Sequence, residues 1–144
     1  MATSDYFLKL DGIDGESIDD KHKGEIEVAS FSWGASNPAR PGFGAGGGSG
    51  KVTLQDFHFV KATDSSSPTL FKSCATGVHI KKATLTVRKT GSERLEYLKI
   101  NLQDIIVSSF EQKADGDVPL DSFSLSFADI TFTQTRQNPD GSLG

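Results

Sequence analysis

Tyr97-Leu-Lys-Ile-Asn-Leu-Gln-Asp-Ile-Ile-Val-Ser-Ser-Phe110 is the stretch on which the fold turns. Leu98, Ile100 and Leu102 alternate with polar residues, as a half-buried strand requires, but the apolar parity then shifts to Ile105 and Val107. A flat sheet cannot use both halves of such a strand. The side chains keep pointing inward only if the strand carries a bulge or bends from one sheet into another, as at the corner of a barrel. The same shift occurs three more times: Ile26 and Val28 give way to Phe31 and Trp33, Val52 and Leu54 to Phe57 and Phe59, and Phe123, Leu125 and Phe127 to Ile130 and Phe132. Recurrence favours a small antiparallel β-barrel made of two bent sheets. A second arrangement also fits, in which one half of each strand meets the core and the other half feeds apolar groups to a partner subunit.

Working outward, alternation predicts strands over Asp5 to Leu10, Glu25 to Trp33, Val52 to Lys61, Ala83 to Lys89, Tyr97 to Phe110 and Ser122 to Thr133. Asp11-Gly12, Asp14-Gly15, Thr90-Gly91 and Ala114-Asp-Gly-Asp117 separate them, with Gly and Asp where tight turns need positive φ. One short flanking helix is expected where Ser67 caps, Pro68 takes the first helical position and Gly77 terminates, with Leu70, Phe71 and Cys74 on the buried face. The fold class is therefore all-β with one helix. At 144 residues the chain fits a single domain spanning 1–144. Within it, 34–51 reads as an extended glycine-rich loop and 136–144 as a turn without a following strand.

Composition narrows the function. The net charge is -4 with no Lys/Arg block, which disfavours a nucleic-acid partner, and no segment approaches the roughly 18 apolar residues of a membrane span. The N-terminus has no signal-peptide pattern, and the single Cys74 cannot form an intramolecular disulfide, so the chain is expected to fold in the cytosol.

No constellation for catalysis is legible. Arg40-Pro-Gly-Phe-Gly-Ala-Gly-Gly-Gly-Ser-Gly-Lys51 invites a phosphate-loop reading, but Ala45 stands where the leading glycine belongs and Val52 where the metal-binding Ser/Thr belongs. A strand, not a helix, follows, so no helix N-terminus receives the anion. His22, His58 and His79 are scattered without ligand spacing: His22 reads as part of a solvated charged loop, and His58 points away from the Phe57 and Phe59 face. Cys74 reads as core. Asp19, Asp20, Asp115 and Asp117 complete no calcium loop. No cofactor, no metal and no enzymatic activity are expected. The glycine-rich loop is better read as contact with a neighbouring molecule.

Several segments resemble one family in order along the chain: Gly15-Glu-Ser17, Asp19, His22, Glu25-Ile26 and Val28 leading into Ser30-Phe-Ser-Trp-Gly34; Gly50-Lys-Val52; Cys74-Ala-Thr-Gly77 and His79; Ala83-Thr-Leu-Thr-Val-Arg-Lys89; Glu96-Tyr-Leu98; and Ile106-Val-Ser-Ser109. The resemblance is to the haemolysin-coregulated protein (Hcp) family, the tube subunits of type VI secretion. It implies a β-barrel whose copies form hexameric rings that stack into a tube, carry small effectors in the lumen and are exported without a signal peptide. The implied partners are further copies of the chain, the spike, the sheath and small effectors, with no nucleic acid and no membrane insertion. The rival reading is a monomeric β-sandwich that binds a sugar or peptide through its loops.

A ring needs one face of a subunit to meet a different face of the next. Asn37, Arg40, Pro41, Phe43, Gly46, Gly48, Gly50 and Lys51 are expected to make the subunit or ring contact. Ser30 and Ser32 alternate with Phe31 and Trp33, so they face away from the core and are candidates for the lumen. The resemblance also implies a further strand after Pro139-Asp-Gly141, where the sequence here ends at Gly144, so an unpaired edge is expected between Phe123 and Phe132.

Overall fold

A computed structural model describes residues 4–38, 52–90 and 95–136. The elements are β1 (Ser4–Leu10), β2 (Ile26–Val28), β3 (Ser30–Ser32), β4 (Ala35–Ser36), β5 (Thr53–Leu54), β6 (Phe57–Ala62), α1 (Ser67–Thr76), β7 (His79–Lys89), β8 (Glu96–Lys113) and β9 (Leu120–Gln134). Seven strands form one antiparallel sheet in the order β2-β1-β7-β8-β9-β6-β3, and β4 and β5 pair separately. The two edge strands of the large sheet, β2 and β3, are separated by Ala29 alone. One continuous segment therefore pairs first with β1 and then with β6, where the Ala29 N–H donates to Val60 O at 2.8 Å. The chain closes the sheet on itself as a near-complete barrel.

The parity shifts mark the barrel's corners. Along the closing segment Ile26 and Val28 are buried, Ala29 and Ser30 are both exposed, and Phe31 is half-buried on the new parity. In β7, β8 and β9 the change falls at one level: Lys81 and Lys82, Gln103 and Asp104, and Ala128 and Asp129 are all exposed. The residues on either side remain in register, with Leu102 opposite Ala83 and Ile130, and Ile105 opposite Ile80 and Phe127. No residue is inserted, so the three strands fold together along a line; the only register slip between β8 and β9 comes later, between Val107 and Ser109. Asp104 takes φ 53, and among the described residues it is the one non-glycine with positive φ. Asp tolerates that conformation better than most residues because its short polar side chain bonds locally.

The core follows from this closure. Phe57, Phe59 and Phe123 are essentially fully buried and stack, with ring centroids 4.9 Å apart for Phe57–Phe59 and 5.1 Å for Phe59–Phe123. Each such pair adds about 0.5–1.5 kcal/mol beyond the area it buries. Lys61 continues the same inward parity and is also fully buried. Its ammonium donates to Asp121 Oδ2 and Asp64 Oδ1, each at 2.8 Å, and to Ser67 Oγ at 2.9 Å. Burial pushes the Asp121 carboxyl upward, but hydrogen bonds from Lys61, Ser67, Thr63 and Gln112 outweigh it and leave the carboxyl below its ordinary range. This network ties the start of α1 to β6 and β9.

Three expectations need correction. Val52 to Lys61 is not one strand, because Gly34 O accepts the Gln55 N–H at 2.8 Å and diverts Thr53–Leu54 onto β4; Val52 and Leu54 are exposed. In α1, Leu70 and Ser73 face the core and Phe71 is 60% exposed. Ser66 precedes the helix without a side-chain cap, and Asp64 accepts its N–H at 2.9 Å instead. The expected open edge between Phe123 and Phe132 is covered over its first part, where Phe57–Ala62 pairs with Leu120–Leu125.

The 11–25 connection is pinned to the barrel by charge. Arg88, only 4% exposed, grips Asp19 with Nη1 to Oδ2 and Nη2 to Oδ1, both 2.9 Å, reaches Asp5 at 3.3 Å, and lies over the Phe7 ring at 4.7 Å. The Arg88 hydrogen bonds hold the Asp19 carboxyl down at about 2, against the opposing effect of desolvation.

Two outcomes are expected in urea unfolding of the intact chain. Asp104→Val, a β-branched residue at positive φ, should cost about 1–2 kcal/mol while Asp104→Asn stays near neutral; equal losses would place the cost elsewhere. Because Asp19 titrates lower folded than unfolded, its contribution, on the order of 1–2 kcal/mol, is present above its unfolded value of 3.8 and lost as pH falls toward 2. Asp19→Asn should remove that part of the acid sensitivity, and an unchanged pH profile would contradict the assignment.

Candidate functional site

At one end of the barrel the closing segment runs on from β3 through Trp33 into β4. Trp33 is half-buried, stacked on Phe57 at 5.8 Å with an interplanar angle of 10°, and tilted against Phe132 at 6.0 Å. The register of Ala35 with Leu54 and Ser36 with Thr53 makes two short paired arms at this end. They diverge from the large sheet because each is two residues long and polar or exposed throughout, with nothing to bury.

This end leaves apolar surface in solvent. Val52 is 58% exposed, Leu54 41% and Phe132 54%. Beyond Leu125, β9 pairs with β8 on one side, and among the described residues no strand pairs with its other side. An edge with free backbone donors and acceptors, flanked by exposed large apolar side chains, is suited to receiving another chain.

The residues singled out from the sequence fall as follows. Asn37 is described and exposed, immediately after β4. Arg40, Pro41, Phe43, Gly46, Gly48, Gly50 and Lys51 lie outside the described residues. Ser30 and Ser32 are both exposed on β3, opposite Val60 and His58 of β6, while Phe31 between them is half-buried against Tyr6. The structure thus places Ser30, Ser32 and Asn37 along one outward run of the closing segment. Parity alone leaves Phe132 and Leu54 either in the core or against a partner subunit; the choice is not legible locally because it depends on where β9 and β5 lose their partners.

The histidines differ from one another. His58 and His79 are exposed, but His22 is buried, 7% exposed, and not in a solvated loop. Its ring stacks on Phe7 at 4.5 Å, with Glu25 at Nδ1 and Glu96 at Nε2. The long separation between His22 and Glu96 is what hides this contact from a local reading. Among the described residues no three His, Cys, Asp or Glu side chains converge as a metal site, and no helix is long and apolar enough to cross a membrane.

Comparison with known proteins agrees with this architecture. The family model described as type VI secretion system effector, Hcp, matches residues 7–134. Protein hcp1 of Pseudomonas aeruginosa is 40% identical over 140 residues, covering 95% of this chain and 86% of that protein. Among solved structures, Hcp1 from Salmonella typhimurium superposes with a TM-score of 0.81 at 36% identity, covering 99% of this chain and 91% of that one. A type VI secretion system effector from Yersinia pestis gives 0.79 at 30% identity, covering 96% and 95%. The match runs from β1 to the end of β9, through the closing segment and both corner lines, and the chain accordingly belongs to the Hcp family of type VI secretion.

Proposed function

We propose that this chain is a structural subunit of the type VI inner tube: copies join into hexameric rings, rings stack, small effectors travel in the lumen, and the assembly is exported. The observation that carries the reading is the apolar, edge-bearing end of the barrel, where Leu54 and Phe132 are exposed and where, among the described residues, no strand pairs with the outer side of β9 beyond Leu125. A monomer gains nothing from that surface, whereas a neighbour that adds to the β9 edge satisfies its backbone groups and covers the apolar side chains. Because the receiving face and the donating face differ, the contact is heterologous, and repeating it makes a ring when the rotation between neighbours closes. The near-closed barrel and family membership remove the basis for the β-sandwich alternative.

Within the ring, Ser30 and Ser32 are assigned to the lumen, where small hydroxyl side chains meet cargo without committing to one partner. Asn37 and the stretch Arg40 to Lys51, which lies in the chain between the paired arms Ala35–Ser36 and Thr53–Leu54, are assigned to contact with the next subunit or ring. Glycines make ordering that stretch entropically costly, so stacking is weaker than ring closure. Spike, sheath and effectors complete the partners; the role calls for no cofactor, catalysis, nucleic acid or membrane insertion.

Sedimentation of the purified chain tests the ring. Phe132→Asp should shift the population toward monomer while leaving the circular dichroism of the barrel intact, because the side chain contributes little to the subunit core; assembly unaffected by this change would remove Phe132 from the interface. Deleting Pro41 to Gly50 should spare the ring and shorten or abolish tubes. Tubes of unaltered length would refute the stacking role.

A further inference from the structure

The sequence singles out Asp19, His22 and Glu25, but tube assembly gives the histidine no task. His22 Nδ1 lies 2.9 Å from Glu25 Oε2 and Nε2 lies 2.8 Å from Glu96 Oε2, inside a site that leaves the ring 7% exposed. A neutral imidazole offers one N–H and one lone pair, and an ionised carboxylate offers lone pairs only. With carboxylate oxygens at both nitrogens, a neutral ring therefore sets one lone pair against another. Protons on both nitrogens turn both contacts into charge-assisted hydrogen bonds.

The charges around the site are predominantly negative. Glu25 and Asp19 face the site from the loop, Glu96 from β8, and Asp5 from β1, where it shares Arg88 of β7 with Asp19. Two carboxylates thus flank the imidazole and two more share the Arg88 guanidinium, with Lys21 and Lys23 exposed on the loop. A charged imidazole relieves the excess, and Phe7 supplies a ring face against which it packs at 4.5 Å and 8°.

We propose that His22 is a proton-dependent clamp: as imidazolium it bridges Glu25 and Glu96 and holds the 11–25 loop against the barrel wall, and on losing a proton it lets the loop go. The loop is also held to itself, by Gly15 N–H to Gly24 O at 2.8 Å, Ser17 N–H to Glu25 O at 3.0 Å and Gly24 N–H to Ser17 O at 2.8 Å, and to the barrel by the Arg88–Asp19 pair and by Asp11 N–H to Lys82 O at 3.1 Å, so that His22 is the second of two side-chain pins. Its last residues run straight into Ile26, the first residue of the closing segment. Gly15 is seated so closely on that junction that a Cβ there would lie 2.6 Å from Glu25 O and Ile26 Cα. Release at His22 therefore loosens the loop and the strand that closes the barrel together. The proton dependence comes from the geometry: with a carboxylate oxygen at each ring nitrogen, only a ring that carries both protons makes both hydrogen bonds. The inference concerns the single subunit and does not rest on the ring.

Hydrogen–deuterium exchange of the intact chain at a series of pH values from about 5.5 to 9, corrected for intrinsic rates, tests the clamp. Amides of Ser17, Gly24 and Glu25 should lose about tenfold or more in protection across the range, while those in the middle of β7 and β8 stay constant. Glu96→Gln, which keeps an acceptor but removes a charge, should move the loss to lower pH. His22→Gln should give low protection that no longer varies with pH, whereas His58→Gln and His79→Gln should behave as the parent chain. Protection that is flat with pH in the parent, or a pH dependence that survives in His22→Gln, would overturn the proposal, as would a Glu96→Gln profile that does not move.

Discussion

A sheet whose first and last strands are consecutive in the chain leaves little freedom elsewhere. The segment from Ile26 to Ser32 pairs with β1 and then with β6, and the remaining strands must curl far enough to bring those two edges within one residue of each other. That requirement explains why β7, β8 and β9 all turn at the same level, why the turn needs no inserted residue, and why Asp104 sits at positive φ in the middle of the longest strand. It also explains where the aromatic stack lies: Phe57, Phe59 and Phe123 fill the space that the curled sheet encloses.

Two buried charge clusters stand at opposite sides of this closure. Lys61 with Asp121, Asp64 and Ser67 fixes where α1 leaves the barrel, and Arg88 with Asp19 and Asp5 fixes the loop that delivers the closing segment. Buried ion pairs contribute little net stability over apolar packing, but removing one partner strands the other at a cost of about 3–5 kcal/mol. Such pairs therefore act mainly by making misplacement costly. Both clusters touch elements at the ends of strands, where backbone pairing alone leaves the direction of the chain open.

Much of the fold was legible because hydrophobic parity is local. The shift from Leu102 to Ile105 announced a corner, and the observed corner falls between those residues, at Gln103 and Asp104. The helix ends could be read from Pro68 and Gly77 for the same reason. What local parity does not show depends on partners distant in sequence: Lys61 is buried where Asp121 meets it, His22 where Glu96 does, and Phe132 is exposed where, among the described residues, β9 has no partner on its outer side. For the candidate interface, Ser30, Ser32 and Asn37 could be named from alternation and loop composition, but whether the apolar half of that surface belonged to the core or to a partner could not be read until the pairing of β9 was known.

The account's central claim is that this barrel end exists to receive another copy of the chain. Electron microscopy of the purified, intact protein tests that most directly. Rings of uniform diameter with an open centre are the predicted result; a field of compact particles the size of one chain, unchanged as the concentration is raised through the micromolar range, would contradict it.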